Sequence, residues 1–240
     1  MTNSPVSTPG GPVARRTRRL DATDLARVAV FAAIVAVLGL PGGFTLFAGV
    51  PITAQTLGVM LAGAILGPWL GALSMAVLLA LVAAGLPLLA GGRGGIGVFL
   101  GPSAGYALGW IVGALVIGLI VHAAGRKPVW WRTLLGTIVG GILVIYAVGI
   151  PVQSLVTRLP LAETALTSLV FVPGDLVKAA LATIIVTTLV RAYPRAFRRT
   201  WRSDRAVAPS APAGPATPAG PAAPAGPATP ATETSLEPTP

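Results

Sequence analysis

Residues 28–92 read VAVFAAIVAVLGLPGGFTLFAGVPITAQTLGVMLAGAILGPWLGALSMAVLLALVAAGLPLLAGG, and these 65 positions hold no Asp, Glu, Lys or Arg. A helical bilayer crossing takes roughly 20 apolar residues, so this run alone is long enough for several. Further along, residues 94–125 add 32 positions with no Asp, Glu, Lys or Arg and one His, His122, and residues 133–157 add another 25 with none of the four charged types. The whole chain of 240 residues is 54% hydrophobic and 10% charged, with a mean hydropathy of +0.80. Soluble domains run nearer a quarter charged. A water-soluble globule is excluded, and a polytopic all-α membrane protein is implied.

Gly and Pro cut the apolar runs into six predicted helices. The first spans 25–40, stopped by Pro41-Gly42-Gly43; the second 53–66, stopped by Gly67-Pro68; the third 69–86, stopped by Pro87. The fourth covers 102–123, the fifth 133–156 with a bend at Pro151, and the sixth 173–191, with Pro173 suited to a first helical turn. Residues 44–52 are apolar but broken by Gly and Pro, which reads as a re-entrant or capping loop. The first two helices are short for a core of about 30 Å, so five or seven spans stay open.

The domain division expected is a disordered basic arm over 1–22, a six-helix membrane domain over 23–195, and a disordered tail over 196–240. That tail is basic and then rich in Pro, Ala and Gly. Its closely spaced prolines forbid a helix and its small side chains forbid a core.

Lys and Arg number 17 against 7 acidic residues, a net charge of +10. The excess is concentrated at Arg15, Arg16, Arg18 and Arg19, and again at Arg191, Arg195, Arg198, Arg199, Arg202 and Arg205. Basic flanks beside apolar spans mark cytoplasmic segments. Two basic ends demand an even span count, and six spans also place Arg126, Lys127 and Arg132 inside. The same count places Arg93 and the start of the last helix outside. The expected location is the cell membrane, multi-pass, with both termini cytoplasmic. A nucleic-acid partner would need a soluble basic face, and the pattern offers none. With no cysteine, disulfides and thiolate chemistry are excluded. Residues 25–40 lack the small-residue exit of a cleavable signal peptide.

Ionisable groups inside spans are costly and mark function by default. Here they are Arg93, Asp175 and Lys178, with Arg158 and Glu163 in the predicted last outer loop. Asp175 and Lys178 lie three apart, on one helix face. They either neutralise each other in lipid or line an outward cavity with Arg93, whose excess of cations would suit a small anion such as a carboxylate. Gly91-Gly92-Arg93-Gly94-Gly95 surrounds one Arg with residues that allow φ > 0 and close backbone approach. It is not a phosphate-binding loop, because no Gly-Lys-Ser/Thr follows. No His/Asp/Glu set has metal-ligand spacing, so neither metal nor cofactor is expected. Ser74, Ser103, Ser154 and Ser168 have no base and carboxylate to form a triad. His122 reads as a structural ring at the cytoplasmic end of the fourth helix. Ala22, Ala26, Ala29, Ala33 and Ala36 form a small-residue stripe that permits close helix–helix approach, or simply reflect an alanine-rich chain.

The ordered set of motifs resembles one family. Pro51-Ile52-Thr53-Ala54-Gln55-Thr56-Leu57-Gly58 through Leu66-Gly67-Pro68 resembles the start of the BioY family. So do Ala83-Ala84-Gly85-Leu86-Pro87, the Gly91–Gly95 run through Leu100-Gly101-Pro102-Ser103-Ala104-Gly105-Tyr106, and Pro173-Gly174-Asp175-Leu176-Val177-Lys178. Ala104 stands where many members carry Gly. The resemblance covers about residues 25–192, nearly the whole membrane portion.

It implies a six-helix S component of an energy-coupling factor (ECF) transporter that captures biotin from outside. It also implies a transmembrane coupling subunit and cytoplasmic ATPases as partners, since the chain has no ATPase motif. On this resemblance the ligand site would comprise Arg93, Asp175, Lys178, Gln55, Tyr106, Gly92 and Gly94. Arg93 or Lys178 would meet the biotin carboxylate, Asp175 the ureido N–H groups, and Gln55 and Tyr106 would add polar contacts. Ala26, Ala29 and Ala33 would dock the coupling subunit. The alternatives are an S component for another small anionic vitamin or precursor, an intramembrane enzyme, and a membrane scaffold. No acid/base constellation supports the enzyme, and the scaffold leaves the three intramembrane charges unexplained.

Overall fold

The computed structural model describes residues 20–41, 44–45, 51–123 and 128–194, which all belong to one compact unit, Met1–Asp204. The tail expected over 196–240 and all but the last few residues of the 1–22 arm lie outside the described residues, as do Arg126 and Lys127.

Six helical rods make up most of the described residues. Helix α1 is Ala22–Val37, α2 Gln55–Leu66, α3 Pro68–Ala83 and α4 Ala104–Val121. The fifth rod, Trp130–Thr157, joins α5 (Trp130–Ile138) to α6 (Ile145–Thr157) through a wide π-type turn at Val139–Val144. The sixth, Leu161–Ala192, joins α7 (Leu161–Ser168) to α8 (Val172–Ala192) through a tight 3-10 turn at Leu169–Phe171. The segment expected to be a capping loop contains a short antiparallel pair, β1 (Phe44–Thr45) with β2 (Pro51–Ile52).

The last three rods and no others among the described residues are long and apolar enough to cross a membrane by length and composition. Helix α2 has 12 residues, about 18 Å at 1.5 Å per residue, so it is short, as its sequence indicated.

One boundary differs in kind. Residues 161–168, including Glu163, were expected in an outer loop but form α7. The hydroxyl side chains of this stretch bond back onto the helix itself. Thr164, Thr167 and Ser168 each donate to the carbonyl four residues back, which satisfies them without leaving the helix. Pro173 does sit in the first turn of α8 as expected, and the 3-10 turn before it spares the bond its missing N–H cannot make. Pro151 does not end its rod, since α6 runs through it.

Glycine sets the closeness of packing. Gly105, Gly109 and Gly113 repeat every four residues, so they share one face of α4. A Cβ on Gly113 would lie 2.7 Å from the Gly140 carbonyl oxygen, and one on Gly109 3.2 Å from Ile145 Cα. The backbones of α4 and the fifth rod therefore touch, as small residues permit. Between α2 and α3 the chain reverses at Gly67, whose φ of +83° favours glycine, followed by Pro68 at the start of α3. Met60, Met75, Leu78, Ile117 and Ile145 are the largest apolar side chains with less than 2% exposure, and they fill the space between α2, α3, α4 and α6.

These contacts order the two ends of the bundle. His122, following α4, bonds Ala64 O near the end of α2 at 2.9 Å, and Arg132 on α5 bonds Ala123 O at 3.1 Å. At the opposite end the start of α2 meets the start of α8 and the loop after α3. Helix α8, 21 residues and about 31 Å long, then returns to the Arg132 end. Arg132 and Ala192 therefore share one end, while Arg93, Asp175 and Lys178 share the other.

Candidate functional site

The loop after α3 is shaped by its glycines. Gly91, Gly92 and Gly95 have φ of +75°, +70° and +83°, which favours glycine at each. Gly94 has a different reason, because a Cβ there would collide with the Leu86 carbonyl oxygen. A two-way backbone bridge between Leu89 and Arg93, at 3.0 and 3.2 Å, closes the loop. Gly92 is exposed at its tip.

Arg93 is half-buried. Its Nε donates to Ala90 O at 3.2 Å and its guanidinium to Ser103 Oγ at 3.1 Å. Both acceptors are neutral, and Arg93 has no carboxylate partner among the described residues. Partial burial lowers its pKa from the ordinary value, but arginine starts so high that it keeps its charge. Five N–H donors in a planar fork, with two engaged here, leave directed hydrogen-bonding capacity for an anion.

Asp175 and Lys178 do form an ion pair. Lys178 Nζ lies 2.9 Å from Asp175 Oδ1, with side-chain exposures of 17% and 6%. Two residues that sequence reasoning did not single out complete this cluster. Thr56 accepts from Lys178 at 3.0 Å and donates to Asp175 Oδ1 at 3.3 Å. Tyr146 on α6 donates to Asp175 Oδ2 at 2.7 Å. The buried carboxylate thus has three donors, the condition under which a charge is tolerated inside a protein.

Gln55 is fully occupied in holding elements together. Its amide donates to Val35 O at 3.1 Å and to Leu88 O at 3.0 Å, and its carbonyl accepts from Ala90 N at 3.0 Å. It ties α1, α2 and the glycine loop, while its neighbour Thr56 ties α2 to α8. The pair Gln55–Thr56 is therefore the bridge between Arg93 and the Asp175–Lys178 cluster. Gly39 has room only for hydrogen here, since a Cβ would lie 2.8 Å from the Gln55 amide nitrogen.

Tyr106 is likewise engaged inside the protein. Its hydroxyl donates to Gln153 Oε1 at 2.8 Å and lies 3.0 Å from Ser168 Oγ. Its ring meets Tyr146 edge to face, centroids 5.9 Å apart at 81°. The sequence placed Gln55 and Tyr106 as polar contacts for a ligand; the hydrogen bonds described for both run to other parts of the chain.

The serines are satisfied by backbone or neighbours, with Ser74 donating to Val28 O, Ser154 to Leu159 O and Ser103 accepting from Arg93. No three His, Asp or Glu side chains gather among the described residues. On α1 the buried face is Val28, Ala32 and Val35. Ala22, Ala26, Ala29 and Ala33 are exposed on another, and Ala36 is half-buried.

One end of the bundle thus carries a cation without a carboxylate partner among the described residues, on a loop closed by backbone bonds, and a buried, charge-balanced carboxylate. The model of one protein family, the BioY family, matches residues 14–195 of this chain. The chain belongs to the BioY family. A Rhodobacter capsulatus protein named biotin transporter BioY is 45% identical over 178 residues, covering 70% of this chain and 94% of that protein. A probable biotin transporter BioY from Bacillus subtilis is 47% identical over 170 residues, covering 70% and 91%. Among solved structures, the S-component for biotin from an ECF-type ABC transporter superposes with a TM-score of 0.66 at 36% identity, covering 70% of this chain and 91% of that one. The BioY match and the three long apolar rods agree on a membrane protein.

Proposed function

We propose that this chain is a biotin-binding S component of an ECF-type transporter, a binding subunit rather than an enzyme, working without a cofactor. The observation that carries the reading is Arg93, charged and without a carboxylate partner among the described residues, at the same end of the bundle as the buried Asp175–Lys178 pair. Biotin presents the complementary set, a carboxylate at one end and a cyclic urea at the other. Lys178 is already neutralised by Asp175, so Arg93 is the natural partner for the carboxylate through charge-assisted bonds. Asp175 then accepts a ureido N–H, and apolar walls take the fused rings and the valeryl chain. Gly92 and Gly94 let the loop backbone approach the ligand, while Gln55 and Tyr106 hold the elements that carry the contacts.

In this reading the Arg93 end faces outward, and the Arg132 end and both termini face the cytoplasm. Basic flanks at the Arg132 end support that orientation. The exposed face of α1 bearing Ala26, Ala29 and Ala33 is the surface for a coupling subunit, whose ATPase partners supply the energy that this chain has no motif to supply. The discriminating experiment is a competition panel, in which labelled biotin is displaced by unlabelled biotin and by other small carboxylate-bearing vitamins. Displacement by biotin alone supports the reading. Stronger displacement by another vitamin would move the assignment to an S component of different specificity.

A further inference from the structure

We infer that Tyr146 is a positioning residue that fixes the Asp175 carboxylate and thereby sets how many ligand donors the site accepts; this rests on the biotin reading. A carboxylate offers about four acceptor positions. Lys178 and Thr56 occupy those of Oδ1, and Tyr146 takes one of Oδ2 at 2.7 Å. A single position, on Oδ2, is left for a ligand N–H.

The tyrosine reaches this place because of the wide turn at Val139–Val144. Each residue of an α-helix advances about 100°, and a π-type turn absorbs one residue more than an α-turn. Regular winding from Val139 would swing Tyr146 about 100° away from Asp175 while α5 stayed on α8. Turns of this kind often mark functional positions. Here Gly140 and Gly141 let it nest, since a Cβ on Gly141 would lie 2.7 Å from Met60 Cε. On its far side the Tyr146 ring is braced edge to face by Tyr106, itself held by Gln153 and Ser168. The ring is thus held by Tyr106 and the hydroxyl by Asp175.

The consequence is selectivity between donors. A cyclic urea directs one N–H at the remaining position. A cyclic guanidinium presents a fork of two N–H groups that needs both oxygens on one side, and Tyr146 holds one of them. Tyr146→Phe keeps the ring and its contact with Tyr106 but frees Oδ2.

The test measures dissociation constants of the purified full-length chain for biotin and for 2-iminobiotin, its guanidinium analogue, with wild type, Tyr146→Phe, Asp175→Asn and the double variant. Tyr146→Phe should weaken biotin roughly ten- to a hundredfold and narrow the preference for biotin over the imino analogue at least about tenfold. In the Asp175→Asn background the same change should cost little more, because its target charge is gone. Thermal unfolding of Tyr146→Phe near that of wild type checks that the fold is kept. Equal losses for both ligands, or full additivity with Asp175→Asn, would overturn the inference and leave the biotin reading standing. A wild type that binds no biotin would overturn both.

Discussion

Replacing Lys178 by Ala tests whether the buried ion pair is held together as described. The change removes the donor 2.9 Å from Asp175 Oδ1 and leaves a carboxylate with 6% side-chain exposure. Stripping one partner from a buried pair typically costs about 3–5 kcal/mol. Two hydroxyl donors stay on Asp175, from Tyr146 and Thr56, so the expected loss of stability falls at or below the low end of that range, about 2–3 kcal/mol. The same range applied to biotin affinity is roughly 30- to 150-fold. Thermal unfolding in detergent and calorimetric titration with biotin read the two effects separately. The double variant Asp175→Asn/Lys178→Met separates them further, because removing both charges relieves the stranded carboxylate. It should regain most of the stability of wild type and none of its affinity. If Lys178→Ala matched wild type in both measurements, the pair would be peripheral and the energetic reasoning refuted.

Three further outcomes are expected. Converting biotin to its neutral amide should lower affinity for wild type at least about tenfold, a charge-assisted bond being worth more than a neutral one, but lower it little more in Arg93→Ala; an unchanged amide penalty in that variant would remove Arg93 as the carboxylate partner. Ala29→Leu or Ala33→Leu, on the exposed face of α1, should block co-purification with a coupling subunit and spare biotin binding; normal co-purification in both would eliminate this surface. In a chain without native cysteine, an impermeant thiol reagent applied to intact cells should label a cysteine placed at position 93 and not one at position 129, and the reverse pattern would invert the topology.

What was legible in the sequence follows from what a bilayer forbids. Runs of 65, 32 and 25 residues without Asp, Glu, Lys or Arg admit few architectures, and Gly67-Pro68 and Pro173 mark helix starts for local steric reasons. Arg93 stood out because it alone separates the first two runs, and Asp175 and Lys178 because charge inside a predicted span is rare. The same scarcity drew attention to Gln55 and Tyr106, while their bonds within the chain depend on packing that polarity alone does not show. Gln55 spends its hydrogen bonds on Val35, Leu88 and Ala90, and Tyr106 on Gln153 and Ser168.

Thr56 and Tyr146 were invisible for the opposite reason. Thr and Tyr are ordinary occupants of spans, and which face Tyr146 presents depends on the wide turn at Val139–Val144. Periodicity counted at 3.6 residues per turn misplaces everything beyond such a turn. The Gly140-Gly141 pair was the one local sign of it. Helix α7 lay in a stretch assigned to the last outer loop with Arg158 and Glu163, and its Thr and Ser hydroxyls are satisfied by bonds within the helix.

The central claim is that this chain by itself recognises biotin through Arg93 and the Asp175 cluster. Equilibrium binding of radiolabelled biotin to the purified full-length chain, without any other subunit, tests it most directly. Saturable binding at one site per chain is expected, displaced by unlabelled biotin and strongly weakened in Arg93→Ala and in Asp175→Ala. Wild-type chain, folded by its thermal transition yet showing no saturable biotin binding, would contradict it.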